Sequence, residues 1–320
     1  MTALLRVELT RLRWRRAVLL LLVGAVVVPA VLAAVTAFNT RPVSDGEMAT
    51  ARENGAREIR RCERNPGRLG VESAELCEDT VISWYTAREP LSLGNEREFG
   101  SGMAVVTVLV LLMMLLGTTF VGHDWSSGSM SNQLLFEPRR SRVWAAKAIV
   151  VTGVALLATA VVSTAYWLVL GVVARSRDLP PGPGVLRDCI EYGLRGALVA
   201  AAAALAGYAL TMLFRSTVAT IGVLFTFTII GGMVIAVLGL DGRWQPGTNL
   251  DAVLRNGTTY SVETPKSCRS PRGPFEDPPE GSKCDSERDL SLGSGAAYFG
   301  VLLLGAGAAS VASFRRRDVP

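Results

Sequence analysis

Six stretches of this chain contain no Asp, Glu, Lys, Arg or His: 17–40, 99–122, 148–174, 196–214, 216–240 and 290–314. The shortest has 19 residues and the longest 27; a helix needs about 20 apolar residues to cross the hydrocarbon core of a bilayer. Within that core every backbone N–H and C=O must be satisfied inside the segment, so each stretch should be an α-helix. The stretches take up 144 of the 320 residues. Only 19% of the chain is charged, against about a quarter in a soluble domain. The pattern predicts an all-α integral membrane protein with six transmembrane helices, at 17–40, 99–122, 143–174, 190–214, 216–240 and 295–314, and excludes a soluble globular fold.

The composition also removes most enzyme chemistry. His123 is the one histidine, so neither a His-based triad nor a multi-histidine metal site can be built from this chain alone. No Gly-x-x-x-x-Gly-Lys-[Ser/Thr] run occurs, so ATP cannot be held on a phosphate loop of that kind. Ser101, in Gly100-Ser101-Gly102, has only His123 as a candidate base, and the two lie at opposite ends of the second span. The expectation is a non-enzyme, with no catalytic residue, metal or cofactor of its own.

Six spans put both termini on one side. The segments on that side (1–16, 122–147, 215 and 315–320) hold 13 Lys and Arg against 4 Asp and Glu; those on the other (41–98, 175–191 and 241–289) hold 19 against 24. The short basic flanks decide the orientation: Arg11, Arg13, Arg15 and Arg16 before span one, Arg139, Arg140, Arg142 and Lys147 before span three, Arg315 to Arg317 after span six. Basic flanks stay in the cytosol, so both termini should be cytosolic, in a bacterial cell membrane. The basicity marks topology and contact with anionic lipids, not nucleic-acid binding. The apolar run 17–38 exceeds the roughly 7–15 residues of a signal-peptide core and is expected to be a retained anchor.

Residues 1–16 place Leu5, Leu9 and Leu12 at helical spacing among arginines. They form either an amphipathic helix lying at the membrane interface, with Trp14 among the headgroups, or simply a basic flank. The external segment 41–98 opens with Ser44-Asp-Gly-Glu47, a capping box for a helix running to about Arg64. Asn65-Pro66-Gly67 signals a turn, and a second helix over 71–88 completes a hairpin. The segment 241–294 carries Pro265, Pro271, Pro274, Pro278 and Pro279, which prevent long regular elements. Cys62 and Cys77 lie in the first segment, Cys268 and Cys284 in the second. Disulfides suit an oxidising exterior; the pairing favoured is within each segment, Cys62–Cys77 and Cys268–Cys284, with a staple across the two as the alternative, and Cys189, in the short external loop 175–189, is left as a free thiol. The third helix can begin near Arg142 and run well beyond bilayer thickness.

The cytosolic loop 123–142 carries the functional signal. A short helix there displays Met130, Leu134 and Leu135 together, and Pro138 and a basic cluster close it. Such a patch either docks in a partner's apolar groove or rests on lipid headgroups. The loop is similar to the inner loop of ABC type-2 exporter permeases: an acidic residue, then Gly-Ser, Leu-Leu, a proline, Ser-Arg and a lysine, here Asp124, Gly128, Ser129, Leu134, Leu135, Pro138, Ser141, Arg142 and Lys147. The family usually has Glu where Asp124 stands, and here Phe136 and Glu137 separate the leucines from the proline. The closing Phe314-Arg315-Arg316-Arg317-Asp318-Val319, the interfacial helix and the six spans also resemble the family.

The resemblance implies a permease subunit of an ATP-binding cassette exporter. Loop 123–142 would be the coupling helix, seating a separate ABC ATPase subunit that binds ATP and Mg, through Asp124, Gly128, Ser129, Met130, Leu134, Leu135, Phe136, Pro138, Arg139, Arg140 and Arg142. It also implies a second permease copy or a related permease, as homodimer or heterodimer. Within the membrane, Glu191 and Arg195 sit at ion-pair spacing and either line the external mouth of a pathway or form an interfacial pair. Thr118, Thr119, Thr152, Thr159, Ser163 and Thr164 can bond across helices, and Gly231-Gly232 allows close approach. A non-transporting scaffold or signalling partner of an ATPase would use the same fold and loop.

Overall fold

A computed structural model describes residues 1–238, 240–262 and 287–317. Within them the chain forms α1 (Thr2–Arg13), α2 (Arg16–Asn39), α3 (Asp45–Arg64), α4 (Cys77–Tyr85), α5 (Leu93–Glu98), α6 (Ser101–Ser126), α7 (Ser129–Phe136), α8 (Arg140–Ser176), α9 (Val185–Phe214), α10 (Thr217–Val237), α11 (Pro246–Arg255), strands β1 (Thr258–Ser261) and β2 (Glu287–Leu290), and α12 (Leu292–Arg316). Six helical stretches, ending in or made of α2, α6, α8, α9, α10 and α12, are long and apolar enough to cross a membrane. The chain is a multi-pass helical membrane protein.

The spans alternate in direction, which divides the bundle into two ends. At the near end α1, α7, the start of α8 and the end of α12 meet: the Arg140 guanidinium donates to the carbonyls of Phe314 at 3.1 Å and Arg317 at 2.6 Å. At the far end Arg177, just past α8, donates to the carbonyls of Ala37 and Thr40 at the end of α2. α6 and α9 form the most extensive helix pair. Their close approach follows from glycines: a Cβ on Gly207 would stand 2.6 Å from the Met114 carbonyl oxygen and 2.9 Å from Thr118 Cγ2. Without a hydrophobic drive between helices in lipid, such small-residue contact lets van der Waals packing hold them. α8 packs on the other side of α9 and buries Trp167, Leu170 and Ala155.

The hydroxyls expected to bond across helices do otherwise. Thr118 and Thr119 donate to the Leu115 carbonyl in their own helix, the nearest acceptor for a hydroxyl on a helix. Thr152, Thr159 and Ser163 are enclosed with no hydrogen-bond partner among the described residues.

The hairpin of 41–98 follows its sequence signals in α3, whereas the second helix expected over 71–88 is confined to α4, after a 3-10 turn at Ala74–Leu76. Ser44 Oγ accepts from Glu47 N, and the Glu47 carboxylate accepts from Ser44 N at 3.0 Å, a complete capping box. α3 ends at Arg64, a 3-10 turn covers Pro66–Leu69, and the Cys62 and Cys77 sulfurs lie at disulfide distance with Cα atoms 5.6 Å apart. Closing a loop of 15 residues stabilises the hairpin by about 3 kcal/mol in the chain-entropy model. Cys268 and Cys284 lie outside the described residues. Cys189 is a buried free thiol whose Sγ lies 3.5 Å from the Leu93 carbonyl oxygen.

The described parts of the segment 241–294 hold short regular elements. α11 begins at Pro246, where the missing N–H costs nothing, and ends at Asn256 in the left-handed conformation. β1 and β2 pair antiparallel, Thr258 opposite Leu290. The five prolines named above all fall outside the described residues, so they interrupt none of these elements.

Candidate functional site

The near end is built around one lysine. Lys147, about two turns into α8, has no solvent-exposed side-chain surface, and its Nζ donates to Glu8 of α1 at 2.8 Å and to Asp124 of α6 at 2.6 Å. Both carboxylates are fully buried too. Arg15 donates to Asp124 and, at 2.5 Å, to the Phe120 carbonyl, and stacks over the Phe120 ring. Arg11 reaches Asp124 at 3.5 Å, Ser129 Oγ, and Gln133 Oε1 at 2.9 Å, while Gln133 donates its amide to Glu8. Charges taken out of water are tolerated only when paired and hydrogen-bonded. Here two carboxylates and three cations satisfy one another and leave a single net positive charge. The cluster ties α1, α6, α7 and α8 into one unit.

α1 therefore does more than lie at an interface. Leu12 is buried and Leu5 packs on the same core, but Leu9 is exposed and Glu8 occupies the buried face. The sequence held a signal for this: Glu8 is the only acidic residue before Asp45, and Lys147 the only lysine before Lys266. Its pairing could not be read, because Glu8 and Lys147 stand 139 residues apart.

The loop itself reverses at Gly128, whose φ of 67° suits a residue without Cβ. α7 follows for eight residues, and Pro138, lacking an N–H, helps to end it. Its apolar residues divide between two directions. Met130 is 1% exposed and Leu134 packs against the core, whereas Leu135 is 80% and Phe136 90% exposed. The expected common face of Met130, Leu134 and Leu135 is thus corrected: positions 130 and 134 share the inner face of a 3.6-residue helix, and 135 and 136 turn outward. Asp124 is likewise inside the ionic cluster and not on the surface. Gly128, Pro138, Arg139 and Arg142 are exposed, Ser129 is half-buried under Arg11, and Arg140 anchors the end of α12. His123 is exposed beside the buried Asp124.

At the far end Arg195 pairs with Glu191 at 3.2 Å, the expected i, i+4 bridge, and Arg187 joins from the other side at 2.9 Å. Glu191 and Arg195 border a cavity of about 280 Å³ lined also by Arg97, Glu98 and Arg255. Arg195 and Arg255 donate to the Leu254 and Glu98 carbonyls, which clips α11 to α9 and α5. Ser101, at the far end of α6, bonds to Glu96 and Tyr166 at 2.5 Å each, a full helix length from His123. Among the described residues no three His, Cys, Asp or Glu side chains converge as a metal site would require. Comparison of the chain with protein-family models, curated proteins and solved structures found no match.

Proposed function

We propose that the chain is the membrane-embedded permease subunit of an ATP-driven exporter, and that α7 with its flanks seats a separate ATPase subunit carrying ATP and Mg. The observation that carries this is the split character of α7. Its inner face and the ionic cluster fix it to the bundle, while Leu135 and Phe136 project from the near end with no described residue covering them. An apolar tip on a rigid base, ringed by Arg139 and Arg142, fits a helix-in-groove contact. The resemblance of Gly128, Leu134, Leu135, Pro138, Arg142 and Lys147 to the inner loop of ABC type-2 permeases supports the same partner. The basic balance of the near end favours the cytosol of a bacterial cell, where ATP is available. Two copies, or one copy and a related permease, complete the transporter, with Glu191 and Arg195 at the outer mouth.

The test is a mild-detergent pull-down of the tagged protein from its own membranes, with stoichiometric partners identified by mass spectrometry. Wild type is expected to bring down an ATPase subunit. Leu135→Asp and Phe136→Asp should lose it while their folded yield is unchanged, since neither side chain touches the core. Undiminished recovery by both variants overturns the docking assignment. A stoichiometric complex without an ATPase points instead to a scaffold or signalling partner.

A further inference from the structure

Arg215 is the single residue of positive φ joining α9 to α10, at the near end beside the loop that precedes α7. Its guanidinium carbon stands 4.8 Å from the centre of the Trp125 ring, and Trp125 meets Phe314 edge-on at 6.2 Å. Two donors in this stack, Arg215 Nη2 and Trp125 Nε1, are enclosed and have no hydrogen-bond acceptor among the described residues. No described carboxylate lies within ion-pair distance of Arg215, whereas Arg11 and Arg15 share Asp124 and Arg140 holds two carbonyls. Buried N–H groups are almost always satisfied, and a guanidinium all the more so.

What is missing is an anion with several oxygens. α10 starts at Thr217, so its unpaired N-terminal N–H groups and dipole add to the positive field, with only the Ala219 N–H taken by Ser216 Oγ at 3.2 Å. The junction of two spans lies at headgroup depth. Phe214 and Val218, on either side of Arg215, are exposed where acyl chains would run.

We infer that Arg215 and Trp125 form a binding site for the phosphodiester of an anionic lipid headgroup. With the stack opened on its membrane side, the guanidinium and the indole N–H each donate to a non-bridging phosphate oxygen, and the acyl chains lie along Phe214 and Val218. The site stands on these contacts alone and holds whether or not α7 seats an ATPase.

The test is native mass spectrometry of the full chain in mild detergent, titrated with phosphatidylglycerol. One retained lipid is expected, with affinity about tenfold lower in Arg215→Gln, the scale of a charge-assisted hydrogen bond. Trp125→Phe, which keeps the ring and removes only the N–H, should fall less, and Arg316→Gln should match wild type. Equal affinity in all four proteins, or an equal loss in Arg316→Gln, overturns the site. Where circular dichroism shows Arg215→Gln unfolded, Trp125→Phe decides alone. Inorganic phosphate that displaces the lipid at millimolar concentration and raises the thermal midpoint of wild type overturns the lipid as its occupant in favour of the free ion.

Discussion

Lys147 balances two carboxylates at once, so its loss and theirs cannot be independent. Lys147→Met leaves Glu8 with only Gln133 and the more distant Arg11 at 3.6 Å, and relies on Arg11 and Arg15 to hold Asp124. Breaking a buried pair from one side costs about 3–5 kcal/mol. The thermal midpoint in detergent is expected to drop accordingly, and adding Glu8→Gln should restore part of the drop; additive losses would show that the pair is not coupled. In the far-end hairpin, Glu47 is held well below the usual carboxylate value of 4.5, first by the Arg88 hydrogen bond, then by Ser44 N and Arg41. A carboxyl depressed by folding stabilises fully above its ordinary range, and that contribution fades as pH falls below it. Proteolysis of the hairpin is therefore expected to quicken on acidification from about pH 5 to pH 2, and Glu47→Gln should flatten the profile. Both carboxylates show what sequence can carry at this scale. Ser44 and Glu47 are three residues apart and were legible as a capping box. Glu8, Asp124 and Lys147 come from three distant segments, and the alternation of leucine with arginine in α1 made the acid look solvent-facing.

Elements fixed by their own termini were the readable ones. α3 starts at its Ser44 cap and stops before Pro66, α8 overshoots a bilayer as its apolar run required, and the Cys62–Cys77 pair closes a local loop. α11 was missed because the prolines near it dominated the composition, although Pro246 at its start and Asn256-Gly257 at its end are ordinary boundary signals. The facing of α7 was misread for another reason: adjacent leucines stand about 100° apart on a helix, and only the bundle decides whether both or one of them turns in. Helix pairing leaves a sharper mark than facing does. Gly207→Val should force α6 and α9 apart and cost about 1–3 kcal/mol, the usual penalty of overpacking, whereas Gly153→Ala, where a Cβ would meet nothing within 4 Å, should hold or raise the thermal midpoint, since Ala favours a helix over Gly. Equal midpoints for the two variants would remove Gly207 from the interface.

Over the whole molecule the six spans were evident from charge-free length alone, but their arrangement was not. In lipid every apolar face is equally at home, so nothing in hydropathy says that α9 is enclosed while α10 and α12 are bare on most sides. The ends are a different matter, because charge distinguishes them. A cysteine introduced at exposed Glu53 should react with an impermeant maleimide on intact cells, and one at exposed Ser127 only after lysis; the reverse pattern would invert the topology.

α8 is about 55 Å long at 37 residues and contains no proline. It carries Lys147 near one end and, about 29 Å further along, Tyr166 bonded to Ser101. A shaft of that length without a hinge pivots as a whole, so a tilt of about ten degrees swings one tip by nearly 10 Å relative to the other. On the proposed docking of α7, pressure on its tip would be delivered as leverage to the opposite surface of the membrane, with the helix as crank and the ionic cluster as its bearing.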